Sequence, residues 1–98
     1  MTAAQPPATQ AYTLRTTPTV RRALGERLPV PIAIAAYEFI TGPLVREPHR
    51  VGKRLTPPLD DRFSARLGTY RVIFRIDEDA RTVTVVDVGH RRDVYRPG

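Results

Sequence analysis

The sequence predicts an α+β fold in which an N-terminal helical hairpin packs on a small, mainly antiparallel β-sheet of about four strands. Three observations carry that expectation. Apolar residues between positions 18 and 42 recur at the i, i+3, i+4 spacing of helices, whereas those between 70 and 88 alternate or run together as β-branched residues. Helical and strand patterns are thus segregated along the chain, as in two-layer α+β domains. At 98 residues the chain is long enough for one hydrophobic core and too short for two.

Residues 1–11, MTAAQPPATQA, hold two prolines and no charged side chain. Their apolar surface is too small to offset the entropy of ordering them, so a flexible tail over 1–11 is expected before a single domain over 12–98. YTLRT alternates, with Tyr12 and Leu14 on one side, and reads as a short strand. Thr17 then stands at an N-cap position with Pro18 in the first helical turn, and Val20, Ala23, Leu24 and Leu28 follow at helical spacing. Gly25 inside this helix costs roughly 1 kcal/mol relative to Ala, so the helix must lean on tertiary contacts. After the Pro-Val-Pro break at 29–31, Pro31 opens a second helix with Ile32, Ala36, Phe39 and Ile40 on one stripe, and Gly42 and Pro43 are expected to end it. Two helices joined this closely form an antiparallel hairpin. From 43 to 68 a basic connection is expected to contain one or two short strands. TYRVIFRID is the strongest strand, with Tyr70, Val72, Phe74 and Ile76 facing one way and Arg71, Ile73 and Arg75 the other. DEDA turns the chain, and RTVTVVDVGH returns as the hairpin partner.

Composition narrows the function. The chain has no cysteine, which excludes a disulfide framework, a thiol nucleophile and a thiolate metal site. Two histidines without a carboxylate cluster make a poor zinc site, so neither a metal nor a cofactor is expected. No run approaches the ~20 apolar residues of a bilayer span, and the first residues lack the charged and apolar regions of a secretory signal. A cytoplasmic protein with no membrane partner is the expectation. A net charge of +6 favours a polyanionic partner, nucleic acid before acidic protein. Of the 16 basic residues 15 are arginine and only Lys53 is lysine. Guanidinium binds phosphate bidentately and stacks on bases, but a GC-rich codon bias accounts for arginine number equally well. Position must therefore single out the functional ones.

Arg71 points away from the apolar set of its strand, either to a ligand or to a cross-strand ion pair with Asp87. His90, Arg91 and Arg92 follow at the end of the last strand, where sheets present side chains to ligands. Tyr95 either anchors back on the sheet or offers its ring to a base. Metal-free RNA cleavage by 2′-OH attack needs a proton acceptor, cations for the phosphorane charge and a proton donor for the 5′-oxygen. Arginine supplies charge but is a poor proton acceptor, and His90 suits either proton role near neutral pH.

RLGTYRVIFRID, from Arg66 to Asp77, followed by VVDVGHRRDVY and preceded by PHRVGKRL, resembles the signature of the RelE toxins in the RelE/ParE superfamily. The likeness covers roughly residues 12–96. It implies a helical hairpin on one face of a small sheet and a concave basic cleft on the other. It further implies the toxin of a type II toxin–antitoxin system, a metal-independent endoribonuclease that enters the 70S ribosome and cuts mRNA in the A site. The partner implied is an acidic, RelB-like antitoxin, held in a hetero-oligomer. By this resemblance Arg71 meets the scissile phosphate, Arg91 is a second phosphate-stabilising arginine, and Tyr95 stacks on the mRNA. Lys53, Arg54, Arg62, Arg66 and Arg92 are the expected RNA- and ribosome-binding residues. Ser64 stands where a family lysine is expected, so the proton acceptor falls to His90, to a neutral arginine or to a group supplied by the ribosome. Two alternatives stay open: a ParE-like toxin that inhibits DNA gyrase without cutting RNA, and a catalytically impaired RNA-binding relative.

Overall fold

A computed structural model describes residues 11–90 of the chain. Residues 1–10 of the tail expected over 1–11, and Arg91, Arg92 and Tyr95, lie outside the described residues. Strand β1 (Thr13–Thr16) leads into helix α1 (Pro18–Arg22). Thr17 is the N-cap, as its sequence context predicts: its hydroxyl accepts from the Val20 N–H at 3.3 Å and donates to the Val86 carbonyl at 3.3 Å. The cap that starts the helix therefore also ties it to the last strand.

Each of the first two helices runs on as a π-helical turn. Ala23–Arg27 continues α1, and Ile40–Leu44 continues α2 (Val30–Phe39). Gly42 and Pro43 do not end the second helix; the wider π turn carries the chain through them. Proline lacks an N–H and its ring crowds the carbonyl four residues back, and a π turn relieves both conflicts locally. The Thr41 hydroxyl donates to the Tyr37 carbonyl at 2.8 Å, filling one acceptor of the disturbed ladder. The turn also keeps Ile40 and Leu44 on the sheet-facing side, 2% and 0% exposed. A short helix α3 (Pro48–Val51) follows. No helix among the described residues is long and apolar enough to cross a membrane.

The sheet has five strands in the order β1-β5-β4-β3-β2, with β2 at Lys53–Arg54, β3 at Phe63–Leu67, β4 at Tyr70–Asp77 and β5 at Thr82–His90. β1 pairs parallel with β5, and all other pairs are antiparallel. The expectation of about four strands is met with one addition, β2, whose two residues are too short to show a periodicity. Val20, Ala36, Ile40 and Leu44 from the helical layer meet Phe63, Ala65, Val72, Phe74, Val83, Val85 and Val88 from the sheet in one core. Ile73 is 3% exposed yet stands apart from that cluster, on the opposite face between its cross-strand partners Ser64 and Asp87.

The register of β5 slips between its pairs with Ile73 and Phe74: Ile73 faces Asp87, but Phe74 faces Val85. Val86 is the extra residue of this β-bulge. Beyond a bulge the alternation of side chains changes phase, so Val88 and His90, not Gly89, continue the core face of Val83 and Val85.

Candidate functional site

The tight β3–β4 turn fixes the centre of the site. Leu67 pairs with Tyr70 across a two-residue loop, and Gly68 takes φ +63°, the left-handed value that a two-residue hairpin loop places at its first position and that glycine tolerates without a Cβ penalty. This register sets Arg66 directly opposite Arg71, both on the face away from the helices. The Arg71 guanidinium donates through Nη1 to the Gly68 carbonyl at 3.4 Å and the Tyr70 carbonyl at 3.2 Å, which aims it along the turn. Among the described residues it makes no ion pair with Asp87, which lies opposite Ile73 instead.

The second wall comes from α3 and β2. A Cβ on Gly52 would collide with Phe74 Cζ, so only glycine lets the end of α3 close onto this core ring. The close approach delivers Lys53 opposite Ser64 and Arg50 beside it. Arg50, Val51, Gly52, Lys53, Ser64, Arg66 and Arg71 are among the residues lining a cavity of about 380 Å³. Four cations line it and, among the described residues, no carboxylate does. Among the described residues only Arg50 of the four has an ion-pair partner, Glu47 at 2.9 Å.

A contrast on the same hairpin gives this meaning. One step beyond the Phe63–Phe74 pair, Arg62 and Arg75 both lie 3.7 Å from Asp61, a shared carboxylate between two arginines. Directly opposed like charges destabilise a sheet. Asp61 neutralises them at one end of β3, whereas at the other no described carboxylate does.

Of the expected site residues, the structure brings Lys53, Arg66 and Arg71 together and adds Arg50, which sequence reading did not select. Its signal was the PHRVGK string, where a helical turn and a glycine place Arg50 and Lys53 on one rim. Arg54 and Arg62 do not line the cavity. Arg54 donates to the Asp60 carbonyl at 2.8 Å and lies over the Phe63 ring at 4.9 Å, because adjacent strand residues face opposite sides. Arg62 is held by Asp61 before β3 begins. His90 is also separated from Arg71. The bulge turns it to the helix side, where it pairs with Tyr70 in an edge-to-face ring contact at 5.7 Å, beside Thr19, Ala23 and Arg27.

A second polar cluster stands away from the cleft. Glu78 in the β4–β5 turn accepts from His49 Nε2 and also from the Tyr12 hydroxyl, which lies 3.0 Å from Oε1 and 3.1 Å from Oε2, and Arg81 lies 4.0 Å above the Tyr12 ring. The His49 hydrogen bond first, then that of Tyr12, holds the Glu78 carboxyl below its ordinary value. Burial first, then the bond to Glu78, pushes the Tyr12 hydroxyl up. Among the described residues, no three His, Cys, Asp or Glu side chains gather as a metal site.

A helical layer on one sheet face and a cleft lined by four cations on the other define a small basic α+β protein suited to an anionic ligand. Known proteins share this architecture. The family model described as the ParE toxin of type II toxin–antitoxin system, parDE, matches residues 33–95. Toxin RelG of Mycobacterium tuberculosis is 52% identical over 85 residues, 87% of this chain and 97% of the relative. Toxin RelE of the same organism is 42% identical over 85 residues, 87% of each chain. In the crystal structure of the toxin–antitoxin complex RelBE2 from M. tuberculosis, a chain 50% identical superposes with a TM-score of 0.78, covering 84% of this chain and all of that one. One in the archaeal RelE–RelB complex from Pyrococcus horikoshii OT3 is 25% identical, with a TM-score of 0.59 and coverage of 86% and 99%. This chain belongs to the RelE/ParE family of type II toxin–antitoxin toxins.

Proposed function

We propose that this toxin is a metal-independent, ribosome-dependent endoribonuclease that cuts mRNA in the ribosomal A site and so halts translation. The observation that carries the reading is the opposed Arg66–Arg71 pair, without a carboxylate partner among the described residues, in a cleft with Arg50 and Lys53. A phosphodiester passing through a phosphorane gains negative charge, and pre-aligned guanidinium groups stabilise it without reorganising. The 2′-oxygen attacks the adjacent phosphorus, and Arg71 takes the scissile phosphate with Lys53 beside it, while Arg66 holds the flanking backbone. Arg91 is assigned a second phosphate contact, Tyr95 the stacking of a base and Arg92 a ribosome contact. His90 faces the helices and takes no proton role, and Arg54 and Arg62 are left out of the contact set.

Outside the ribosome the partner is an acidic, RelB-like antitoxin in a cytoplasmic hetero-oligomer. Complexes of that kind among the structural relatives support it, as does the exposed apolar surface of α2, where Val30, Ile34 and Tyr37 are 70%, 54% and 62% exposed. Primer extension on ribosomes programmed with a defined mRNA tests the nuclease. Cuts at the A-site codon, lost in Arg71→Ala, are expected. Absence of cuts together with inhibition of gyrase supercoiling would support the second reading, a ParE-like binding toxin, which the description of the matching family model favours.

A further inference from the structure

Resting on the nuclease reading, we propose that Lys53 is the general acid of the reaction, the group that protonates the departing 5′-oxygen. The 2′-oxygen forms a bond to phosphorus while the P–O5′ bond breaks. The 5′-oxygen leaves with the electron pair of that bond and receives the proton of the Lys53 ammonium. The 2′-hydroxyl proton passes to water, and the Lys53 amine regains a proton from solvent.

The cleft itself selects this residue. Its polar described lining is Arg50, Lys53, Ser64, Arg66 and Arg71. Guanidinium holds its proton throughout the working pH range, and a serine hydroxyl is neutral and a weak proton donor. An ammonium is both charged and able to give up a proton. Lys53 is the single lysine of a chain with 15 arginines, and it stands in this cleft. The β2–β3 register puts it opposite Ser64, on the same face as Arg66 and Arg71. It is exposed, and no described carboxylate pairs with it. Gly52 fixes its backbone through the close packing of α3 on Phe74.

The test is single-turnover cleavage on programmed ribosomes of two mRNAs, one natural and one with sulfur replacing the 5′-bridging oxygen at the scissile phosphate. A thiolate leaves without being protonated. Lys53→Met is expected to slow the oxygen substrate by about 10²-fold or more, the usual span for general acid catalysis, and the sulfur substrate by only a few fold. Lys53→Arg, which keeps the charge but not the mobile proton, should show the same split. Equal losses on both substrates, or a Lys53→Arg variant as fast as the wild type, would overturn the assignment and leave Lys53 a charge contact. Wild-type protein that cuts neither substrate would overturn the nuclease reading itself, and with it this role.

Discussion

At the scale of single residues, the informative signature is a local cost left in place. Arg66 and Arg71 repel across a hairpin pair, while Arg62 and Arg75 share Asp61 a few positions away. Replacing Arg66 with threonine removes the repulsion and inserts a good strand former. Urea denaturation of Arg66→Thr is expected to show a gain of about 0.2–1 kcal/mol, the range of cross-strand pair terms, alongside weaker binding of single-stranded RNA. A variant less stable than wild type would mean that Arg66 is held by folding and not by a ligand. Much of this was legible in the sequence. Strand alternation alone sends Arg71 away from the core, whereas Arg66 was singled out only through the family resemblance. Which arginines are compensated was not legible, since Asp61 reaches Arg75 only after β3 and β4 have paired. His90 was misplaced for a similar reason: one extra residue at Val86 reverses the faces beyond it, and a bulge leaves no mark in a run of valines.

At the scale of elements, the first helix was readable from its Thr17 cap and both helices from their apolar spacing, but their π turns were not, because hydrogen-bond register carries little side-chain periodicity. Gly25 sits in the first such turn with open space around its missing Cβ and without a positive φ. No packing reason requires glycine there. Gly25→Ala is therefore expected to raise stability by about 0.5–1 kcal/mol through the loss of unfolded-state freedom, as chemical denaturation would measure; a destabilised variant would show that the π turn needs glycine. A different device joins β1, α3 and the β4–β5 turn. Glu78 receives hydrogen bonds from His49 on α3 and from Tyr12 beside β1, and its carboxyl is held below the ordinary value of 4.5. A depressed carboxylate stabilises the fold above its unfolded-state value and loses that contribution as pH falls through the folded one. Stability of the wild type should therefore drop below about pH 4.5, whereas Glu78→Gln, already lacking the charge, should show a shallower acid slope. Identical slopes would leave the cluster without an electrostatic part in joining these elements.

At the scale of the molecule, the question is whether the net charge of +6 acts as a diffuse field or through the cleft. Many arginines are engaged elsewhere: Arg21 with the Thr16 carbonyl, Arg54 with the Asp60 carbonyl, Arg62 and Arg75 with Asp61, and Arg81 over Tyr12. Among the described residues, Lys53, Arg66 and Arg71, with Arg50 shared with Glu47, are gathered in one cavity and form the concentrated set. Counterion release predicts that the logarithm of affinity for single-stranded RNA falls with the logarithm of salt by about 0.7 per phosphate contacted. Three or four contacts give a slope of about −2 to −3, so binding should weaken roughly 20- to 50-fold between 50 and 200 mM salt. A diffuse field and a cleft differ in what substitution does to that slope. In the cleft reading, Arg71→Ala and Lys53→Met each remove about one contact and flatten the slope by about 0.7, while Arg22→Ala on the helical face changes it little. Fluorescence anisotropy titrations of a short RNA over a salt series measure all three slopes. Equal flattening by Arg22→Ala would mean that the whole basic surface, and not the concavity between α3 and the β3–β4 hairpin, holds the nucleic acid.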